Sequence, residues 1–500
     1  MGADSKLLMV VLDAAEPARV ESLLDAGKLP TLAELRQTGG YRRVASTTDW
    51  WVASPWPSFY TGTPPSRHGF YYYLWWDPET LVSSRPDRHR FDAEPFWRSA
   101  LPEDARSIVI DGSEMHRPAS GDNIELSGWR THDILSEPWV YPSSLGEELA
   151  RKGLRPAPLV ESYAPLRQDD IRKAQADSNE ATESVGQLAR LLLPRETWDF
   201  ALVSLTAPHM AGHQLWSATS LAPDAEPGCA SLQRAALDDI YMNCDRVLAE
   251  VLEAGHDASN VIVCSLHGME HNRNRGNVLQ DMLDVILGEQ RSALHGDTGV
   301  IGRVRELLPE SIRHAVKSRL PMQWQDRLTG YWRTGGYDWS STKAFSFVPD
   351  LQGYVRVNLA GREKHGIVPA EEYEDVCRAV CEGVMQFHDA DDGEPIVEEA
   401  RPLNSFEPRE ALRAFMPDVA INWADSPAAK HTSISGPNGA SIPWPLPGRN
   451  GDGRSGNHTA HGFLVGSGPA FDGGELDAWN HILDFADNIS RLVRGCTGRR

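Results

Sequence analysis

Five residues of the types that bind metal ions stand beside short apolar runs in this sequence. Asp13 ends the run LLMVVL, His209 and His213 follow FALVSL, His267 follows VIVCSL, and His458 lies in GNHTAHGFLVGSGP. Carboxylate oxygen and neutral imidazole nitrogen are natural ligands of zinc and its first-row neighbours, and a site needs three or more of them to converge. A single histidine after a strand is more often a loop or core residue, but the whole pattern predicts a metal site.

A hydroxyl-rich stretch, ASPWPSFYTGTPPSRHGFYYY at residues 53–73, carries the candidate nucleophile. A hydroxyl at the start of a short helix could attack phosphorus, because metal coordination lowers its pKa and the helix N-terminus favours negative charge. We select Ser54 as the candidate catalytic residue. The alternative is that Ser54 only caps the helix.

Aromatic side chains crowd both sides of Ser54, from Trp50 to Trp76. Aromatic faces suit stacking on a nucleobase or a sugar ring, which makes Trp56 and Tyr60 candidate substrate-binding residues. Core packing is the alternative for any one of these rings.

Short β-rich runs that alternate with helical segments predict the element that positions these residues. The runs cover residues 7–12, 107–110, 200–205, 261–266 and 419–423, with helical segments at 19–26, 31–37 and 235–254. This alternation predicts an α/β fold with a largely parallel central sheet covered by helices on both faces. Because ligands bind outside the carboxyl ends of such strands, we expect the site there.

The length of 500 residues predicts one large α/β domain with an insertion. We expect residues 1–269 and 338–500 to form the core, residues 270–337 to form an inserted helical cap, and residues 433–454, rich in Gly, Pro and Ser, to form a long loop.

Composition and charge exclude several classes of function. The chain is 41% hydrophobic and 24% charged, as in ordinary globular proteins, and its formal charge of −21 opposes binding to a nucleic-acid duplex or an anionic membrane. No signal peptide or spanning segment is evident, and the six cysteines lack metal-binding or disulfide spacing, so we expect a soluble cytoplasmic protein with reduced thiols. The expected partner is a small phosphate ester, and the oligomeric state stays open.

The order of these motifs resembles the alkaline phosphatase superfamily, specifically its type I phosphodiesterase/nucleotide pyrophosphatase branch. Asp13, WPSFYTGTPPSRHG, HMAGHQLW, SLHGM and GNHTAHG followed by GP keep that family's order, and GREKHGIV at 361–368 also looks like it. The resemblance implies a metal-dependent phosphoric ester hydrolase with two cations and a Ser or Thr nucleophile. It implies that Asp13 and His267 hold one cation and that His209, His213 and His458 hold the other.

Departures from the family pattern leave the details open. Leu266 stands where the family has an aspartate before its histidine, and His209 stands where it has another. One remaining carboxylate favours zinc, with manganese as the alternative, in a site of one or two ions that could recruit Asp111. The nucleophile cannot be placed without gaps, so Ser58, Thr48 and Thr47 are alternatives to Ser54.

Other functions of the same superfamily are alternatives to a phosphodiesterase. A sulfatase is disfavoured because the segment from Ser54 to Ser58 lacks the arginine of the sulfatase pattern. A phosphomonoesterase would need basic groups, for which Arg67, Arg130 and Arg362 are available. The alternative of a different class is a non-catalytic or single-metal relative that binds a ligand or glycan.

Overall fold

The computed structural model describes residues 6–86, 93–118, 121–131, 135–159, 167–216, 225–289, 337–347, 350–445, 453–472 and 476–497. The strands, numbered along these residues, are β1 (Lys6–Leu12), β2 (Gly40–Ala45), β3 (Trp75–Asp77), β4 (Val82–Ser84), β5 (Ser107–Gly112), β6 (Ile124–Ser127), β7 (Trp139–Tyr141), β8 (Phe200–Leu205), β9 (Ala258–Ser265), β10 (Gly268–His271), β11 (Ala344–Ser346), β12 (Gly353–Val357), β13 (His388–Asp389), β14 (Val397–Pro402), β15 (Val419–Trp423), β16 (Ser433–Ser435), β17 (Ser441–Pro443), β18 (Gly456–Thr459) and β19 (His461–Ser467).

The helices, numbered in the same way, are α1 (Pro17–Asp25), α2 (Pro30–Thr38), α3 (Pro55–Thr61), α4 (Pro65–His68), α5 (Phe96–Ser99), α6 (Ser143–Arg151), α7 (Gln168–Leu192), α8 (Ala207–Leu215), α9 (Cys229–Ala254), α10 (Gly276–Leu287), α11 (Tyr373–Val384) and α12 (Phe485–Thr497). Proline stands at the first or second position of α1, α2, α3, α4 and α8. Proline suits these positions because the first turn of a helix does not use its backbone N–H groups internally.

An eight-stranded sheet with the order β2-β19-β9-β1-β8-β5-β6-β7 forms the centre of the first of two compact units. The neighbours from β9 to β6 are parallel, whereas β19 and β7 run antiparallel to their partners. The predicted fold class, a largely parallel sheet of the alkaline-phosphatase type, is confirmed.

Strand β1 shows why its sequence is a continuous apolar run. Leu8, Val10 and Leu12 enter a core that also contains residues of α1, α2, α7, α8 and α9. Leu7, Met9 and Val11 enter a second core, shared with residues of α3, α5 and α12. Both faces of the strand are therefore buried beneath helices, which is why apolar and polar residues do not alternate in it.

The second compact unit comprises residues 72–90 and 273–447. Its four-stranded antiparallel sheet has the order β11-β12-β15-β14, and α10 and α11 pack with it around a separate apolar core. Strands β13, β16 and β17 form a small additional sheet.

Two sequence-based expectations differ from this architecture. Residues 419–423 form a strand as predicted, but β15 belongs to the antiparallel sheet of the second unit and not to the central sheet. The segment expected to be a long loop contains β16 and β17, because its backbone pairs with itself and with β13.

The predicted helical cap at residues 270–337 falls largely on residues 290–336, which lie outside the described residues, and it stays a prediction. Its described start contains the end of β10 and the whole of α10. The predicted domain boundaries likewise stay a prediction. Within the described residues, no helix is both long enough and apolar enough to cross a membrane.

Candidate metal centre

Three adjacent parallel strands deliver three of the candidate ligands to one edge of the sheet. β1 lies between β8 and β9, and all three run in the same direction. Asp13 directly follows β1, His209 lies in the helix that follows β8, and His267 follows β9. The backbone N–H of Asp13 donates to the carbonyl of Leu205 at 3.0 Å, which holds this edge together.

Helix α8 carries two histidines on one face. His209 and His213 are four residues apart, which places them one helical turn from each other. Their Nε2 atoms are 3.1 Å apart. On the opposite side of the His213 ring, Nδ1 is 3.0 Å from the carbonyl oxygen of Gly456. The spacing HxxxH therefore places the two imidazoles side by side on this helix, where they could bind one cation.

A short antiparallel ladder brings in the remaining histidine. Strand β10 begins one residue after His267 and pairs with β18, so that Met269 stands opposite His458. The ring centroid of His458 is 4.5 Å from that of His267, 4.7 Å from that of His209 and 4.7 Å from that of His213. A residue more than 180 positions away in the chain is thus placed among the other imidazoles.

The five predicted ligands form two overlapping groups. The candidate ligand atoms of His209, His213 and His458 lie within 4.8 Å of one another, and so do those of Asp13, His209 and His267. The Nδ1 atoms of His267 and His458 are buried without a hydrogen-bond partner among the described residues. Unpaired buried nitrogen is costly, and a bound cation would offset that cost, so the donor set fits a divalent metal.

The charge states of these groups suit metal binding. Burial lowers the pKa of His267 to about 4, and burial together with the neighbouring imidazoles lowers the pKa of His458 well below its usual value. Burial opposes ionisation of Asp13, but His209 and His267 outweigh it and hold the pKa of that carboxyl below its ordinary value. At neutral pH the centre therefore combines a carboxylate with two imidazoles that keep a lone pair for a cation.

The two candidate substrate-binding aromatics are packed inside the protein. Trp56 is 3% exposed and its indole Nε1 donates to Oδ1 of Asp13 at 3.2 Å. Tyr60 is fully buried and its hydroxyl donates to the carbonyl of Glu114 at 2.6 Å. In this structure neither ring presents an exposed face to a substrate, so Trp56 contributes to the centre through Asp13 and Tyr60 contributes to the core.

Ser54 precedes α3 and is part of a buried hydroxyl network. Its Oγ donates to the carbonyl of Trp51 at 2.7 Å and lies 2.6 Å from Oγ1 of Thr47. It makes no side-chain cap hydrogen bond to the helix. Helix capping, the alternative role expected from the sequence, is therefore not what its hydroxyl does.

The three alternatives to Ser54 also have partners. Thr48 donates through Oγ1 to the carbonyl of Thr459 at 2.6 Å, next to His458. Thr47 Oγ1 is 3.2 Å from Oγ of Ser58, which in turn is 3.1 Å from Nε2 of His68. Among these hydroxyls, that of Thr48 contacts the backbone of Thr459, the residue directly after His458.

His68 is a residue that sequence reasoning did not select. Its Nδ1 accepts from the backbone N–H of Phe70 at 3.0 Å, so Nε2 of a neutral ring carries the proton and donates to Ser58. In this arrangement His68 orients Ser58 and does not accept a proton from it. The only signal in the sequence was the position of His68 in the SRHG segment.

Two further candidates are already engaged. The Asp111 carboxylate accepts from the backbone N–H groups of Trp129, Arg130 and Thr131 at 2.7 to 3.2 Å. Burial raises its pKa to about 6, so it is ionised at neutral pH and holds this loop. In the second unit, Arg362 makes a two-pronged ion pair with Asp418 at 2.6 and 2.7 Å. We therefore exclude both from the site.

Glu16 is a second residue that sequence reasoning missed. Its Oε2 accepts from the backbone N–H of Met269 at 3.0 Å and from Oγ1 of Thr459 at 3.3 Å. Glu16 follows Asp13 by three residues, Met269 follows His267 by two, and Thr459 follows His458. One carboxylate thus connects three of the segments that carry candidate ligands.

Comparison with known proteins identifies the family of this chain. The model of the family described as type I phosphodiesterase / nucleotide pyrophosphatase matches residues 7–421. A comparison with curated proteins found no match. Among solved structures, phosphonoacetate hydrolase from Sinorhizobium meliloti 1021, in complexes with phosphonoformate and with phosphonoacetate, is similar with a TM-score of 0.52 and 15% identity, over 98% of this chain and 96% of that one.

Murine ectonucleotide pyrophosphatase / phosphodiesterase 5, in an inactive form with AMP, aligns with a TM-score of 0.44 and 14% identity over 98% of this chain and 95% of that one. The similarity to the hydrolase shows a shared fold, and the family match extends over most of the sequence, including four of the five candidate ligands. This chain belongs to the type I phosphodiesterase / nucleotide pyrophosphatase family, within the alkaline phosphatase superfamily.

Proposed function

We propose that this protein is a metal-dependent hydrolase that cleaves phosphate diesters of small molecules. The family supports phosphoester hydrolysis as the broad reaction. The observation that carries the metal dependence is the convergence of one carboxylate and four imidazoles at the carboxyl edge of the sheet. Buried nitrogen atoms without hydrogen-bond partners cost free energy, and a bound cation would remove that cost.

The residues that would hold the metal are those of the two overlapping groups around His209. A divalent cation bound there supplies positive charge that stabilises the phosphoryl oxygens and activates a nucleophile. A site dominated by imidazole favours zinc, with manganese as the alternative. The protein's part is to orient these ligands and, by burial, to keep His267 and His458 neutral.

A diester is the proposed substrate because two arginines that could bind a dianionic monoester are paired with carboxylates. Arg362 pairs with Asp418, and Arg130 donates to Glu180 at 3.2 Å. Two of the three arginines that the sequence offered for this purpose therefore have acidic partners, and the third, Arg67, is exposed on α4. A diester carries less charge than a monoester, and it requires fewer cationic groups.

Ser54 is the proposed nucleophile. It lies at the start of α3, two residues before Trp56, whose indole contacts Asp13. Its hydroxyl donates to the carbonyl of Trp51, so attack on a substrate requires that hydrogen bond to break. Thr48 is the alternative nucleophile, because its hydroxyl contacts the turn beside His458.

A substrate panel tests the proposal. Aryl phosphodiesters, phosphomonoesters and sulfates are offered to the purified protein with zinc or manganese and with a chelator. We expect diester hydrolysis that the chelator abolishes, and a loss of at least about 10²-fold in kcat for Ser54→Ala. Ser58→Ala is the matched control, since it removes a buried hydroxyl of the same network, and it should retain activity.

Other outcomes would change the assignment. Full activity in Ser54→Ala together with loss in Thr48→Val would move the nucleophile to Thr48. A protein that binds no metal and is inactive on every ester would instead support the alternative of a ligand-binding relative without catalysis.

A further inference from the structure

The two ring nitrogens of His209 face different partners. Nδ1 is 2.7 Å from Oδ2 of Asp13, and Nε2 is 3.1 Å from Nε2 of His213. The other oxygen of Asp13 accepts from the indole of Trp56, which can only donate. Both oxygens of Asp13 therefore already have N–H partners.

His213 shows the same pattern as His209. Its Nδ1 is 3.0 Å from the carbonyl oxygen of Gly456, and a carbonyl can only accept. Each helix histidine thus places Nδ1–H on an oxygen and directs Nε2 towards the other. This is the usual arrangement of histidine ligands, whose distal N–H donates to a carboxylate or carbonyl while the second nitrogen binds the metal.

The distance between the two Nε2 atoms suits one shared cation. Two nitrogens at 2.0–2.1 Å from a tetrahedral zinc ion are about 3.3 Å apart. The observed 3.1 Å is close to that separation. His458 completes the group, since its candidate ligand atom lies within 4.8 Å of the other two and its buried Nδ1 has no hydrogen-bond partner in the described part of the chain.

Charge disfavours a second cation beside the first. Two divalent ions would bring four positive charges, whereas the five candidate ligands provide one carboxylate, that of Asp13. Asp13 and His267 are 1% and 3% exposed, so the excess charge would be buried, and buried uncompensated charge is costly.

We infer that this protein binds a single divalent cation through His209, His213 and His458. Asp13 is a positioning residue that accepts from Nδ1–H of His209 and does not ligate the ion. His267 packs against the rings of His209 and His458 and does not ligate this ion, so its Nδ1, which has no partner among the described residues, is left to a water molecule or the substrate. This inference rests on the proposed function and specifies its metal site.

Metal stoichiometry tests the inference without reference to activity. Chelator-treated protein is titrated with zinc by calorimetry, and the bound metal is measured after dialysis. We expect one ion per chain. His213→Ala should lose the ion, whereas His256→Ala, which removes an exposed histidine of the same unit, should keep it.

Two variants separate ligands from positioning residues. Asp13→Asn keeps an oxygen acceptor for His209 but removes the carboxylate, so it should still bind one ion, about 10- to 100-fold more weakly. His267→Asn should also bind one ion. Circular dichroism establishes that each variant is folded, and His213→Gln replaces His213→Ala if the latter is not.

The outcomes distinguish this inference from the function on which it rests. If the parent protein binds two ions, and Asp13→Asn and His267→Asn each bind only one, the inference is overturned and a two-metal hydrolase remains. Complete loss of zinc in folded Asp13→Asn would make Asp13 a ligand and overturn its positioning role. No zinc in the parent protein would overturn both the inference and the metal-dependent function.

Discussion

At the scale of single residues, the contacts of a polar side chain decide its role more than its position after a strand. Asp111 is the second-to-last residue of β5, and Asp13 directly follows β1, so both lie near the end of a strand of the central sheet. Asp111, however, has a positive φ of 62° and uses its carboxylate for three backbone N–H groups and the hydroxyl of Thr131. It is therefore a structural residue, although its sequence context resembles that of Asp13.

Replacing Asp111 tests this distinction. Asp111→Ala leaves buried N–H groups without an acceptor, each at a cost of about 1–3 kcal/mol, so we expect the free energy of unfolding to fall by about 3 kcal/mol or more. Zinc stoichiometry should stay that of the parent protein. Urea unfolding and metal analysis measure the two quantities.

Asp122→Ala is the control for Asp111→Ala, because it removes an exposed carboxylate from the same region. It should change neither stability nor zinc binding. Loss of the metal from folded Asp111→Ala would instead show that Asp111 is part of the centre.

The sequence identified the candidate ligands by residue type and position, but it could not show how each is used. Imidazole and carboxylate beside strand ends were sufficient to select Asp13 and the histidines. Which nitrogen of His209 faces Asp13, and that Trp56 donates to the same carboxylate, depend on side-chain contacts between residues far apart in the chain. No local pattern encodes such contacts.

At the scale of elements, strands were predictable where burial on both faces leaves a continuous apolar run. The residue ranges of β1, β5, β8 and β9 were predicted to within a few residues at each end. Strand β15 was also predicted, but not its sheet, because the apolar pattern that favours a strand does not specify which strand pairs with it.

Glu16 connects elements that must hold the ligands in register. Its carboxylate joins the segment before α1 to β10 and to the end of β18. Its backbone N–H donates to the hydroxyl of Tyr241 on α9 at 3.0 Å, which fixes the residue from the other side. Movement of any of these elements would displace Asp13, His267 or His458.

Removing this connection should weaken metal binding without removing a ligand. For Glu16→Ala we expect about tenfold lower zinc affinity, the lower end of the range for outer-shell partners, with unchanged stoichiometry. Competition with a chromogenic chelator measures the affinity. Glu21→Ala is the matched control, because Glu21 lies five residues further on, in α1, and pairs with Arg43 and Tyr41. Parental zinc affinity in Glu16→Ala would contradict the connecting role.

At the scale of the whole molecule, the division into two units was beyond local sequence patterns. Each unit is assembled from separate stretches of the chain, and the second includes residues 72–90 far from the rest of its sequence. Within that unit, the indole of Trp76 donates to Glu363 at 2.7 Å, a contact across almost 290 residues. Long-range pairing of this kind is fixed by the assembled core and not by the periodicity of any segment.

The second unit also contains a buried network of charged groups that the metal centre does not use. His431 is 1% exposed, its Nδ1 contacts the carboxylate of Asp389, and its Nε2 accepts from Nε of Arg275 at 2.9 Å. Arg275 donates further to backbone carbonyls at 273, 424 and 426. A neutral imidazole is required here, because Nε2 must keep its lone pair for the guanidinium.

This requirement predicts how stability changes with pH. Burial, assisted by Arg275, lowers the pKa of His431 from its ordinary value of 6.5, despite the opposing effect of Asp389. As the pH falls below about 6.5, the unfolded chain binds a proton at this residue that the folded chain does not, so the free energy of unfolding decreases. One proton contributes at most about 1.4 kcal/mol per pH unit, and above that range the contribution is constant.

His431→Gln isolates this effect. The variant loses the network and should be less stable than the parent protein at pH 8, but it cannot take up the proton, so the difference between the two should shrink below pH 6.5. Urea unfolding at a series of pH values measures the difference. His365→Gln, at an exposed position of the same unit, should remain close to the parent protein throughout. A difference that stays constant from pH 8 to pH 5 would show that the pKa of His431 is the same in the folded and unfolded chains, and the network would then have no preference for the neutral ring.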